Sequence, residues 1–178
     1  TPLAIVGAVF YLVHHIVVKA NLFLIAGVAN KIAGGTELGR IGGLYKSAPL
    51  LAVLFVVPAF SLAGFPPLSG FWANFLLVQA ALDIQAWIIA GIALLVGLLT
   101  IYSMTKIWAQ AFWEPHPDGS EPKLSSLSSR DRAVMLIPIA GLAALTVIIG
   151  VMPEPFVLFA EASAAQLLDP TAYIQAVL

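Results

Sequence analysis

The sequence predicts an all-α, polytopic membrane protein with about four transmembrane helices, one of them broken mid-membrane, and a C-terminal interfacial helix. Three observations lead to this class. The 178 residues are 61% hydrophobic and only 10% charged, with a mean hydropathy of +1.00, far outside the range of soluble globular domains. Apolar stretches of about 20 residues, the length that an α-helix needs to cross a bilayer, recur along the chain. Prolines and glycines interrupt them at a few places.

Composition also excludes several classes. The net charge of −1, with no basic patch among aromatic residues, argues against a nucleic-acid partner. The chain has no cysteine, which removes thiolate metal sites, iron–sulfur ligation and disulfides, and no cofactor is predicted. Thr1 and Pro2 lead directly into an apolar stretch without an initiator Met or a basic leader, so we interpret the chain as the C-terminal part of a longer protein.

The first predicted helix, about 3–33, contains a lysine near its middle. A mid-membrane Lys19 costs about 2.5 to 3.5 kcal/mol unless it faces protein or water, which makes a functional role the default hypothesis. Tyr11 and His15 precede Lys19 at helical spacing and lie on the same face of the helix. His15 is about 6 Å from Lys19 along the axis. His14 points roughly 100° away from them. The alternative is that Lys19 snorkels to a headgroup and both histidines are packing residues.

The second predicted helix, about 48–82, is broken at 64–70. The residues that prevent a continuous helix or flank the break are Gly64, Pro66, Pro67, Ser69 and Gly70. In lipid such a break is viable only where the freed backbone groups face protein or a wet cavity, and discontinuous helices of transporters use it for ion paths. The alternative is an external turn between two short re-entrant helices. Asn74, just after the break, is either a relay residue or an interhelical hydrogen-bonding group.

The third predicted helix spans about 84–113 and ends in a cluster of aromatic residues around Lys106. This lysine is either an interface anchor or the exit of a proton path. The polar loop 114–131 follows. Its Glu114, His116 and Asp118 could resemble metal ligands, but the prolines keep them extended, so no metal site is predicted.

The fourth predicted helix covers about 132–152, and residues 153–178 form an amphipathic tail that suits the membrane interface. Basic residues concentrate at two connections, 34–47 and 114–131. They are Lys31, Arg40, Lys46, Lys123, Arg130 and Arg132. The positive-inside rule therefore predicts that both loops are cytoplasmic and that the C-terminus is external.

Three motifs give the chain a recognisable pattern over essentially its whole length. They are His14-His15-x-Val-Val-Lys19-Ala-Asn-Leu-Phe-Leu, then Gly64-Phe-Pro-Pro-Leu-Ser-Gly-Phe-Trp-Ala-Asn-Phe, and the tail Gln166-Leu-Leu-Asp-Pro170-x-x-Tyr173-Ile-x-Ala-Val-Leu. The chain resembles the antiporter-like membrane subunits shared by respiratory complex I and Mrp-type cation/proton antiporters. Within that family the pattern is most similar to the D-subunit branch of the Mrp-type Na⁺(K⁺)/H⁺ antiporters.

The resemblance implies a fourteen-helix parent with two inverted five-helix bundles, of which this chain would hold the last four helices. His15 and Lys19 would lie on the central hydrophilic axis, and the broken helix would line the outward half-channel. Asn74 departs from the family pattern, which usually has Lys or Glu there, and an amide cannot titrate. The implied partners are other subunits of the complex, the lipid bilayer, protons, and Na⁺ or K⁺.

These observations lead to one functional hypothesis and two alternatives. The chain is predicted to be part of a proton-translocating antiporter subunit in the cell membrane, a transporter subunit rather than an enzyme, with a His15–Lys19 relay. A proton-pumping subunit of a complex I-like quinone oxidoreductase is the first alternative. The second is a structural membrane subunit whose polar residues only hold helices together. A haem site is disfavoured because His14 and His15 share one helix and His116 lies in a loop.

Overall fold

The computed structural model describes residues 1–35, 37–116, 119, 124 and 127–177. Every regular element among them is helical, and the all-α class is confirmed. In chain order the elements are α1 (Pro2–Ala33), a 3₁₀ turn (Leu38–Arg40), α2 (Leu44–Ser47), α3 (Pro49–Leu62), α4 (Ser69–Asp83), α5 (Trp87–Trp108) with a π-helical turn (Ala109–Trp113), α6 (Ser129–Val151), α7 (Glu154–Leu168) and α8 (Thr171–Val177).

Helix α1 begins and ends where local chemistry dictates. The hydroxyl of Thr1 accepts a hydrogen bond from the backbone N–H of Ala4, and Pro2 occupies the first turn, where its missing N–H costs nothing. Gly34 ends the helix in the left-handed conformation, and its N–H donates to the carbonyl of Asn30. The 32 residues extend over about 48 Å. Helix α1 contacts α3, α4, α6 and α7 and is therefore the centre of the bundle.

Three helices of the described part of the chain are long and apolar enough to cross a membrane. They are α1, α5 with its π-helical turn, and α6. Helices α3 and α4 have 14 and 15 residues and so extend only about 21 and 22 Å each. Neither reaches the roughly 30 Å of a hydrocarbon core alone, whereas the two together do. A polytopic membrane protein is the class that these lengths and compositions support.

Two apolar clusters surround α1 at different heights. The first is built on Ile25 and Val28 of α1, with Leu51 and Phe55 of α3 and Ile139 of α6. The second is built on Val6 and Phe10 of α1, with Ala73 and Leu76 of α4, Ile149 of α6, and Ala160 and Ala164 of α7. Along α1, the buried polar residues His14 and Asn21 fall between the two clusters. Polar chemistry is thus concentrated in the middle of the bundle.

The connection after α1 meets the one after α5. The N–H of Gly43 donates to the carbonyl of Glu114 over 2.6 Å, and a Cβ atom at Gly42 would stand 2.7 Å from the carbonyl oxygen of Pro115. The last part of the first predicted basic loop and the start of the second therefore lie at the same end of the bundle. Lys123 and several other residues of the second loop lie outside the described residues.

The tail packs on the bundle through α7. Ala160 and Ala164 are buried against the N-terminal half of α1, where small side chains allow close approach. Asp169 precedes α8 and accepts hydrogen bonds from the hydroxyl and the N–H of Thr171, which lower the pKa of its carboxyl group. The interfacial position of α7 stays a prediction, and Leu178 lies outside the described residues.

Candidate functional site

The break between α3 and α4 is narrow and is packed against α1. Residues 63–68 are non-helical, and α4 begins at Ser69, so Ser69 and Gly70 belong to its first turn. A Cβ atom at Gly70 would overlap the carbonyl oxygen of Ser61 and would stand 2.9 Å from Cε1 of His14. Only glycine therefore allows α1, α3 and α4 to meet at this point.

A chain of buried hydrogen bonds joins the three helices at the break. Nδ1 of His14 lies 2.8 Å from Oγ of Ser69, and Oγ of Ser69 lies 3.0 Å from Oγ of Ser61. Oγ of Ser61 accepts the N–H of Gly70 over 3.1 Å. That N–H belongs to the first turn of α4, where no intrahelical acceptor exists, so a side chain of α3 satisfies it. The three side chains, His14, Ser61 and Ser69, are each at most 1% exposed.

This chain of groups can carry protons in either direction. A neutral imidazole and a hydroxyl each have both a donor and an acceptor. Ser61 can donate to Ser69 and Ser69 to His14, or the order can be reversed with the other imidazole tautomer. Both orientations satisfy the same three heavy atoms, so reversal requires no change in packing.

Tyr11, His15 and Lys19 lie on another face of α1. His15 is half-buried and stacks on Tyr11 with ring centroids 5.4 Å apart, while Tyr11 also meets the edge of the His14 ring at 6.0 Å. Lys19 is exposed in this chain and forms no ion pair with any residue that the structure describes. The predicted stripe therefore faces away from the break, and the His15–Lys19 relay stays a prediction.

Lys19 lines a groove of about 310 Å³ between α1, α3 and α5. The groove extends from Leu62 at the end of α3 to Ile41 after the 3₁₀ turn, and Phe55 and Met104 form part of its wall. Lys19 is its only charged lining residue among those that the structure describes. The lysine thus stands at an otherwise apolar surface.

Asn74 and Lys106 occupy separate places. Asn74 is half-buried beside Gly64, which has a φ of +85°, and a Cβ atom there would overlap the Asn74 amide. Asn74 also lines a cavity of about 490 Å³ between the break and α5. Lys106 is exposed on α5 and is not among the residues that line this cavity or the Lys19 groove. The structure does not bring Lys106 together with the other candidates.

Helix α6 supports the break from its other side. The indole N–H of Trp72 donates to the carbonyl of Gly150 over 2.8 Å. A Cβ atom at Gly150 would overlap the carbonyl oxygen of Pro67, so the backbones of α6 and the break are in direct contact. The geometry of the break is therefore held by four helices.

Sequence reasoning overlooked two buried polar residues of this site. Ser61 lies in an apolar helix three residues after Pro58, and its only signal is a hydroxyl close to a proline-rich break. Asn21 is fully buried on the inner face of α1, seven residues after His14. Seven residues are almost two helical turns, and this spacing from a histidine was the available signal.

No group of three or more metal-ligating side chains comes together in the part of the chain that the structure describes. Glu114 and His116 are described, and Asp118 lies outside the described residues.

Comparison with known proteins places the chain in a family. A family model described as "NADH:quinone oxidoreductase/Mrp antiporter, TM" matches residues 1–100. The chain is 47% identical to the D subunit of the Na(+)/H(+) antiporter of Alkalihalophilus pseudofirmus and 35% identical to that of Bacillus subtilis, over all 178 residues. It spans only 35% of the length of each of these relatives.

Two solved structures share the fold. The Mrp complex from Dietzia sp. DQ12-45-1b matches with a TM-score of 0.85 and 33% identity, over 100% of this chain and 40% of that one. Respiratory complex I from Thermus thermophilus with bound NADH matches with a TM-score of 0.76 and 31% identity, over 94% of this chain and 35% of that one. The family predicted from the three sequence motifs is confirmed. The chain belongs to the NADH:quinone oxidoreductase/Mrp antiporter transmembrane family.

Proposed function

We propose that the chain is a section of a proton-translocating subunit of a multisubunit monovalent cation/proton antiporter in the cell membrane. It is a transporter subunit, and other subunits, the lipid bilayer, protons, and Na⁺ or K⁺ are its partners. The similarity to two relatives that are named as D subunits of Na(+)/H(+) antiporters supports the assignment. The observation that carries it is the buried hydrogen-bond chain of His14, Ser69 and Ser61 at a helix break.

The side chains of this hydrogen-bond chain are chemically suited to proton transfer. Histidine is the side chain whose ordinary pKa lies nearest neutrality, and serine hydroxyls pass a proton on by accepting one and donating another. The backbone groups at a helix break have no hydrogen-bond partner within the helix. In a membrane they must therefore face protein or a water-filled cavity, and such breaks tend to line ion paths. The residues Gly64, Pro66, Pro67, Ser69 and Gly70 build this element.

Tyr11, His15 and Lys19 form the second part of the pathway in this proposal. An ammonium group on a membrane-spanning helix is costly in contact with lipid, so its face is covered in the complete protein by further helices or by another subunit. His15 and Lys19 are one helical turn apart and can exchange a proton through water. Tyr11, in contact with both imidazole rings, links this part to His14.

Asn74 and Lys106 have supporting roles in the proposal. Because an amide does not titrate, Asn74 orients water in the cavity of about 490 Å³ beside the break rather than carrying the proton itself. Lys106, which does not line that cavity, is either the exit of a proton path or an anchor at the membrane interface.

A complex I-like quinone oxidoreductase is the second candidate. The match to complex I of Thermus thermophilus, with a TM-score of 0.76, favours it. In such an assembly proton movement depends on quinone reduction elsewhere in the complex. Proton transport by membranes that hold the complete assembly, measured with a cation gradient alone and with NADH and quinone alone, separates the two functions.

The proposed topology has the loops 34–47 and 114–131 in the cytoplasm and the C-terminus outside. Because the chain has no cysteine, an introduced cysteine is the only thiol in this section, and the labelled peptide identifies its position. Lys46→Cys and Gln166→Cys are expected to react with a membrane-impermeant thiol reagent from opposite sides. Equal reactivity from one side would contradict the topology.

Lys19→Ala in the complete complex tests the proposed function. We expect loss of proton-coupled Na⁺ efflux and of growth at alkaline pH, because the part of the path formed by Tyr11, His15 and Lys19 loses its ammonium group. Lys31→Ala removes an exposed lysine from the last turn of the same helix and serves as the control. Unchanged efflux in Lys19→Ala, or equal loss in both variants at equal amounts of assembled complex, would overturn the assignment. Loss of assembly alone would support the structural-subunit alternative.

A further inference from the structure

One end of the bundle carries a cluster of aromatic rings. The rings of Tyr45, Trp108 and Trp113 form what we call the aromatic triangle, with centroids 5.9 to 6.2 Å apart. Phe112 stacks on Trp108 at 6.4 Å and joins the triangle to the first apolar cluster through Phe55, at 5.3 Å. Tyr45 is 48% exposed and Trp113 is 67% exposed. The aromatic triangle is therefore anchored on its inner side and open on its outer side.

A cavity of about 500 Å³, which we call the Lys46 cavity, adjoins the aromatic triangle. Lys46 lines it together with Tyr45 and Trp113, and so does Gly43, whose N–H is bonded to the carbonyl of Glu114. The described lining residues include no carboxylate, and Lys46 forms no ion pair with any residue that the structure describes. The Lys46 cavity thus offers an ammonium group and a phenol hydroxyl, both of which can donate to an anion.

Trp108 also lines a second space, an apolar groove of about 260 Å³ between α3 and α5, which we call the Trp108 groove. The other residues that line it are Phe55, Val56, Ala59, Phe60, Met104 and Thr105. Between Phe55 and Phe60 the groove extends about 7.5 Å along α3 towards the helix break. A cavity suited to an anion therefore lies next to an apolar groove that leads into the membrane-spanning part of the bundle.

The two spaces lie at the level where lipid headgroups are expected. Helix α5 is uncharged from Trp87 to Thr105, and this stretch extends about 28 Å, close to the roughly 30 Å of a hydrocarbon core. Lys106 and the aromatic triangle follow directly, and tryptophan and tyrosine concentrate at membrane interfaces. Ala90 is the only buried residue of α5, all of which the structure describes. The helix thus presents an apolar surface to lipid up to the aromatic triangle.

We propose that the Lys46 cavity and the Trp108 groove together bind one anionic phospholipid, in the leaflet on the side of loop 34–47. Lys46 pairs with the phosphate, Tyr45 donates a hydrogen bond to the headgroup, and one acyl chain occupies the Trp108 groove. A soluble anion would leave the groove empty, and a zwitterionic lipid would bring Lys46 no net opposite charge. The binding of this lipid does not depend on the proposed function.

Photo-crosslinking in the complete complex tests the choice of headgroup. The complex is placed in bilayers of phosphatidylglycerol and phosphatidylcholine, and one or the other lipid carries a diazirine on an acyl chain. We expect phosphatidylglycerol to label peptides that contain Val56 or Met104 about fivefold more than phosphatidylcholine, the preference that one lysine at an anionic surface provides. Lys46→Gln should abolish this preference. Lys31→Gln, an exposed lysine in the last turn of α1 at the same end of the bundle, should retain it.

Val56→Trp tests the place of the acyl chain. Val56 lines the Trp108 groove and is 36% exposed, so an indole can fill the groove without replacing a core residue. Labelling of the peptide that contains Met104 should fall several-fold. Val53→Trp is the matched control, because Val53 is 61% exposed on the same helix and lines neither space. Its labelling should equal that of wild type.

Each of four results would overturn the inference. Equal labelling by the two lipids, or an equal loss of preference in Lys31→Gln, would show that Lys46 selects no headgroup. Full labelling in Val56→Trp would remove the acyl chain from the groove. Loss of labelling on addition of dilute glycerol 3-phosphate would indicate a site for a soluble anion. Absence of labelling by either lipid would mean that another subunit covers this surface. The Lys19→Ala result decides the proposed function separately.

Discussion

The inner face of α1, which carries His14, and the outer face, which carries His15 and Lys19, present polar residues in opposite settings. His14 on the inner face is 1% exposed, is bonded to Ser69 and is wedged against Gly70. Lys19 on the outer face is exposed beside an apolar groove, and the neighbouring His15 contacts only Tyr11 among the described aromatic rings. His14 and His15 are adjacent in sequence, and the rotation of about 100° between them places His14 in close packing and His15 on a half-buried face.

The two faces of α1 make different contributions to assembly and to transport. Close contacts on the inner face hold α1, α3 and α4 together, so a change there affects assembly as well as any proton path. The outer face has room for substitution within this chain, so a change there should affect transport while the bundle assembles. Separate measurements of assembly and of transport therefore test whether the two faces differ in this way.

Gly70→Ala should have the largest effect on the inner face. The added methyl group would overlap the carbonyl oxygen of Ser61, which is backbone and cannot move aside without displacing α3. We expect destabilisation of about 3 kcal/mol or more and a large loss of assembled complex, measured by native gel electrophoresis and thermal unfolding in detergent.

Gly27→Ala is the matched control on α1. A Cβ atom at Gly27 has no neighbour within 4 Å among the described residues, and alanine favours the helix by about 0.5 to 1 kcal/mol. Assembly should be unchanged or improved. Normal assembly of Gly70→Ala would show that the inner contacts are looser than the structure has them.

The pair His14→Leu and His15→Leu compares the two faces directly with the same substitution. His14→Leu removes a buried hydrogen bond and leaves the Ser69 hydroxyl with one partner fewer, at a cost of about 1 to 3 kcal/mol, so both assembly and efflux should fall. His15→Leu should leave assembly near wild type and lower Na⁺ efflux per assembled complex. The ratio of efflux to assembled complex is the measurement.

Two results would contradict this division between the faces. If His14→Leu keeps wild-type efflux per complex, the buried chain is only structural. If His15→Leu reduces assembly more than His14→Leu does, the outer face is as tightly packed in the complete protein as the inner one.

The sequence predicted the elements better than their contacts. Gly34 ends α1 and Pro49 begins α3 for local backbone reasons, and proline and glycine interrupt the helix near Gly64. These effects need no tertiary information. The choice of His14 rather than His15 as the partner of Ser69 depends on a contact between residues 55 positions apart, which periodicity along one helix cannot show.

The site was likewise predicted only in part. The break and the histidine pair were identified because lysine, histidine and proline are rare in apolar stretches. Ser61 and Asn21 were not, because small polar residues are common in membrane helices and become informative only when burial and partners are known. The pairing of Gly150 with Pro67 has no local sequence signal.

Among the inner-face changes, Ser61→Ala should have the smallest effect on efflux. The change leaves the N–H of Gly70 without its acceptor and shortens the hydrogen-bond chain by one hydroxyl, while the bond between His14 and Ser69 remains. We expect a loss of about 1 to 3 kcal/mol in thermal stability, because a buried donor loses its partner, and only a modest fall in efflux.

Ser103→Ala, at an exposed position of α5, controls for removal of a hydroxyl from an apolar helix. It should match wild type in both measurements. The order of the effects is informative, since a chain that conducts through Ser69 and His14 tolerates loss of its far end better than loss of its imidazole. Efflux in Ser61→Ala as low as in His14→Leu, at equal assembly, would instead make Ser61 an essential member of the path.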